Sequence, residues 1–155
     1  MPRPSEDNDF LAEQAGLIGS SYLKLLSKPL AQGLCGTKDF ARVLFNAPFA
    51  VVSHDTAPDP VFNYANAKAL ELFEMSWDEF VRTPSRLSAE PVNRSERQQL
   101  LAQVAEHGFI DHYRGVRISK KGARFMIKNA VVWNLTNDRG DYKGQAACFS
   151  DWRYL

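Results

Sequence analysis

This chain of 155 residues has little that would mark an enzyme, a metalloprotein or a membrane protein. Its only cysteines are Cys35 and Cys148, with no CxxC pair, so free thiols in a cytoplasmic protein are the simplest reading. The three histidines, His54, His107 and His112, fall at no i,i+4 spacing and have no acidic or cysteine partner at zinc spacing. No apolar run approaches the ~20 residues of a membrane span. The polar, acidic start from Met1 to Asp9 is wrong for a secretory signal. With 19 basic and 18 acidic residues, the net charge of +1 gives no field that favours nucleic acid or an acidic membrane. No phosphate loop, nucleophile elbow or kinase signature is present, and Gly33-Leu34-Cys35-Gly36 reads as a linker. Asp111, His112 and Tyr113 are consecutive in a strand-like run, so they point to alternate faces and cannot converge. An enzyme is therefore not expected.

What is present is pattern. Strand-like runs 113–119, 124–135 and 143–152 are separated by turns at Lys121-Gly122 and Asn137-Asp138-Arg139-Gly140, which makes an antiparallel meander. Upstream, residues 49–54 form a strand candidate, and Asp55 to Pro60 supplies turn chemistry. Val61 to Asn66 then reads as a strand running directly into a helix that Asn66 caps. Ser76-Trp77-Asp78-Glu79 is a capping box, with Met75 and Phe80 at hydrophobic-staple spacing. Asn93-Arg94-Ser95-Glu96 repeats that logic before a helix to His107, whose Leu100, Leu101 and Val104 form a stripe closed by Gly108. Thr37 caps a short helix with Phe40, Val43 and Leu44 inward.

Residues 1–8 read as a frayed tail, and a first helix is expected from about Asp9 to Leu26. In it Leu11, Ile18 and Leu25 recur every seven residues, with Ala15 and Tyr22 four later. That stripe must pack on something. A homodimer contact is the favoured use, and cover for the outer face of a sheet is the other. Gly16 and Gly19 allow either a close backbone approach or a kink. Arg114, Arg117, Lys120, Lys121 and Arg124 cluster around one hairpin, where a solvated edge is the default and direct nucleic-acid contact is not expected.

Strict alternation along 124–135 puts Phe125, Ile127, Asn129, Val131 and Trp133 on one face, expected to meet the helices. Asn129 is then a lone amide on an apolar face, and its partners are backbone, another side chain or a ligand. Asn63 offers a second polar group, while Tyr113 and Trp133 supply flat walls. Ala130, Val132 and Met126 fall on the other face.

The strand-to-helix junction Phe62-Asn63-Tyr64-Ala65-Asn66 and the stretch Gly140-Asp141-Tyr142-Lys143-Gly144 with its following strand resemble a PAS domain, and more narrowly the PAS-related MEKHLA family. The resemblance covers roughly Phe45 to Trp152. It implies an α+β fold, a five-stranded antiparallel sheet with helices across one face and a ligand cavity between, preceded by the flanking amphipathic helix. The boundaries are 1–36 for the tail, helix and linker and 37–155 for the PAS-like domain. The implied function is a sensory module that binds a small organic molecule and signals through an unidentified partner protein. The alternatives are a ligand-free dimerisation module and a small cavity enzyme. No cysteine lies on the helices between the second and third strands, against a covalent flavin. No histidine lies between Asn66 and Glu106, against haem. No catalytic metal is expected.

Overall fold

Asn66 shows how the first half of the chain is tied together. It is fully buried and is the N-cap of a helix, accepting from the Ala69 amide at 3.1 Å. The same oxygen accepts from the Val51 amide at 3.0 Å, and the amide nitrogen donates to the Leu44 and Phe49 carbonyls at 3.1 and 2.7 Å. One side chain thus ties a helix end, a strand and a loop together.

The computed structural model describes residues 1–155, apart from the side chains of residues 91 and 92. The helices are α1 (Ala12–Leu26), α2 (Lys38–Phe45), α3 (Ala67–Phe73), α4 (Trp77–Phe80) and α5 (Pro91–His107). The strands are β1 (Ala50–His54), β2 (Phe62–Ala65), β3 (Phe109–Ile118), β4 (Arg124–Thr136), β5 (Tyr142–Phe149) and β6 (Asp151–Tyr154). Pairing is antiparallel throughout, in the order β2-β1-β5-β4-β3, with β6 continuing along β4 beyond the end of β5. The fold is α+β, with α3 to α5 on the inner face of the sheet. No described helix is long and apolar enough to cross a membrane.

Local signals hold at most element ends. Ser76 and Glu79 form the capping box, Thr37 accepts from the Phe40 amide, and Gly108 closes α5 at φ 98°. Two expectations shift. Helix α5 begins at Pro91, which needs no amide hydrogen at that position, so Asn93 lies inside the helix and does not cap it. In α2, Val43 is exposed while Ala41 and Phe45 turn inward beside Phe40 and Leu44.

The first eleven residues are not a frayed tail. Residues Glu6–Leu11 form a 3-10 helix, Pro4 and Phe10 are buried, Phe10 packs against Phe45, and the Trp77 indole donates to the Met1 carbonyl at 2.9 Å. Helix α1 then lies across the outer face of the sheet. Ala15, Ile18 and Tyr22 are buried there, Trp133 donates to the Ile18 carbonyl at 3.2 Å, and Ser21 bonds the backbone of Thr136. The seven-residue seam is therefore covered inside the chain, which is the second of its two expected uses. Gly16 and Gly19 serve close approach: an added Cβ at Gly16 would stand 2.7 Å from the Gly36 nitrogen, and one at Gly19 would strike the Phe40 ring.

Candidate functional site

The position of every candidate residue on β4 depends on one bulge. From Tyr113 to Gly115 strand β3 advances two residues, while its partner β4 goes from Ala130 to Ile127, which is three. The extra residue is Asn129, at φ 52°, a left-handed conformation that asparagine tolerates better than most side chains. Asn129 is exposed and does not line a cavity, which corrects the reading of it as a buried amide. A one-residue insertion also reverses the alternation beyond it. Phe125 and Ile127 face the helices as expected, whereas Val131 and Trp133 turn to the outer face beneath α1, and Ala130 and Val132 take the inner one. A second bulge, at Asp111–His112 with His112 at φ 54°, compensates on β3 and leaves Tyr113 facing inward.

Asn63 is also on the outer side. It accepts from the Ser53 hydroxyl at 2.5 Å, and Ser53 in turn accepts from Gln14 of α1. Of the seven candidates, Ile127 and Tyr113 line the inner cavity. Phe125 lies beside it, packed on Phe73.

That cavity has a free volume of about 60 Å³ and lies between the sheet and α5. Its lining is mostly apolar, with Val52, Phe62, Phe73, Ile127, Val132 and Phe149. Polar groups from α5, β1, β3 and β5 interrupt it. Arg97 of α5 is 6% exposed and donates to the Ser85 hydroxyl at 2.6 Å. Burial first, then the nearby Arg117 guanidinium, lowers its pKa to about 10. Arg117 lies over the Tyr113 ring, 5.6 Å from its centre. His54 of β1 is buried opposite Gln145 of β5, and its Nδ1 meets the Asp55 carbonyl at 2.9 Å. Burial holds its pKa below the ordinary imidazole value. The neutral ring donates from Nδ1 to that carbonyl, which leaves Nε2 as an acceptor. Both Nε2 and the Gln145 Oε1 are buried with no hydrogen-bond partner. The amide nitrogen of Gln145 is held by the Leu101 carbonyl and Asn134, at 3.0 and 3.1 Å. The signal was present in the pattern: Arg97 shares the stripe of Leu100 and Val104, and His54 shares the parity of Val52.

The thiols lie elsewhere. Cys148 faces the outer side, and burial pushes its pKa up to about 12; Cys35 lies beside Gly19, with its own thiol also raised by burial. Among the described residues no group of three His, Cys, Asp or Glu side chains could hold a metal ion. Two of the five residues of the basic hairpin are paired, Lys120 with Glu79 and Arg124 with Glu90 at 3.0 Å, and Arg117 turns to the cavity.

A sheet in this order, helices over its inner face and a cavity between them match a known family. The MEKHLA domain family matches residues 12–154. The chain belongs to the MEKHLA domain family. The match starts at α1, so the family unit includes the helix that covers the outer face. Among solved structures, the PAS domain of a protein from Colwellia psychrerythraea superposes with a TM-score of 0.63 at 14% identity, over 76% of this chain and 95% of that one. A light-oxygen-voltage domain studied with a flavin analogue gives 0.60 at 17%, over 76% and 84%. An RNA-binding light-oxygen-voltage receptor gives 0.59 at 19%, over 73% of this chain and 32% of that one. No curated protein matches. At these identities the likeness is one of fold: a MEKHLA domain has the architecture of the PAS and light-oxygen-voltage sensors.

Proposed function

We propose that this MEKHLA domain is a sensory module that binds a small molecule in the cavity between sheet and α5 and passes the signal on through contacts with other protein chains. The observation that carries this reading is a mostly apolar cavity whose lining includes Arg97, Arg117 and two of the three buried side-chain atoms without a hydrogen-bond partner, His54 Nε2 and Gln145 Oε1. At about 60 Å³ the space is far below the roughly 300–1,000 Å³ of pockets for drug-sized ligands, so the reading is of a ligand much smaller than a flavin or haem. Two guanidiniums, an amide, a phenol and the His54 ring are suited to holding a charged ligand in place, so the module is read as a binding protein.

The test is to extract freshly purified protein with acid and identify the small molecules released. Wild type is expected to release one species stoichiometrically, and an Ala147→Leu variant, whose added carbons enter the cavity, to release none. Equal release from both places the ligand elsewhere and ends the proposal. A ligand-free dimerisation module is the alternative. It would use the α1 stripe, of which Ala15, Ile18 and Tyr22 are buried on the sheet while Leu11 and Leu25 are half-buried.

A further inference from the structure

Arg97 carries more than its place in the lining. Arg97 is 6% exposed, and a buried guanidinium gains most from an anion or a full set of acceptors; among the described residues its one acceptor is the Ser85 hydroxyl. No carboxylate among the described residues pairs with it. The nearby acids are engaged elsewhere: Asp59 with Arg86, Glu90 with Arg124, and Asp55 with the amides of Ala57 and Val61. A second cation, Arg117, faces the same space. Among the described residues the cavity lining thus holds two positive groups and no acidic side chain, and most of the rest of it is apolar.

We propose that the ligand is a short-chain carboxylate, its carboxylate oxygens on the Arg97 guanidinium and its alkyl end against Phe73, Ile127 and Val132. This deepens the reading given above and rests on it. The planar fork of Arg97 matches a carboxylate, and a buried cation gains most from a charge-assisted pair. The free volume admits about four water-sized groups, which suits an acid of two to four carbons. Inorganic phosphate has the charge but leaves the apolar lining without a partner.

The experiment is calorimetry and thermal shift of the full chain with propionate, the neutral isostere propionamide, and inorganic phosphate. Propionate is expected to bind about tenfold or more tightly than propionamide. Arg97→Gln is expected to abolish the difference. Arg117→Gln, at a half-buried strand position that leaves the core intact, is expected to reduce it. Equal binding of propionate and propionamide in wild type overturns the carboxylate while leaving the cavity reading standing. Phosphate binding as tightly as propionate overturns the role of the apolar lining. Binding of none of the three, with no response at the Ile127 methyl groups to any small solute, overturns the cavity reading as well.

Discussion

Trp133→Ala is expected to cost about 3–5 kcal/mol of stability and to loosen α1, without disturbing the ligand cavity. Trp133 is fully buried, stands edge-on to Tyr22 with ring centres 4.9 Å apart, and donates to the Ile18 carbonyl. Truncation removes the largest side chain between sheet and helix. A domain of this size is stable by only about 5–15 kcal/mol, so a fall in Tm of about 10 °C is expected. Urea unfolding measures the loss, and hydrogen exchange at the α1 amides shows where it falls. Asn129→Gly, four residues away, is expected to stay within about 0.5 kcal/mol of wild type, because the residue is exposed and its positive φ suits glycine. Unchanged stability for Trp133→Ala, or a large loss for Asn129→Gly, would restore the unbroken alternation.

Asn66→Ala is expected to cost about 3 kcal/mol or more, well above the ~1 kcal/mol of an ordinary N-cap. The difference lies in the number of dependants. Beyond the Ala69 amide, the change strands the Val51 amide and the Phe49 carbonyl and leaves the Leu44 carbonyl with the Ala47 amide alone. Ser76→Ala, at an exposed cap with its own capping box, is the internal comparison. Equal costs for the two would reduce Asn66 to a helix cap and nothing more.

The sequence made the elements legible because their signals are local. The Ser76 box, the Thr37 cap, Gly108 and the meander turns act within a few residues of themselves. The β4 face was misassigned for a reason equally local but easily overlooked. As a polar group in a strand Asn129 calls for buried partners, but its tolerance of positive φ is the property that decides its place. One bulge then moved Val131 and Trp133 from the ligand side to the α1 side. The polar part of the cavity lining was illegible for another reason. His54, Arg97 and Gln145 lie on β1, α5 and β5, and only the sheet order β1-β5-β4-β3 with α5 above it brings them together. Helix α1 was correctly read as an amphipathic stripe. Its partner became clear once the outer face was seen to carry Trp133 and Leu135.

The most direct test of a ligand cavity on the inner face is the methyl spectrum of the full chain labelled at isoleucine. Ile127 lines the cavity, and Ile18 is buried on the opposite face of the sheet under α1. Titration with a mixture of carboxylates, amides and alcohols of up to about four carbons is expected to shift the Ile127 methyl resonances saturably and to leave those of Ile18 in place. Resonances of Ile127 that stay fixed throughout, or that move only in step with those of Ile18, would contradict the account.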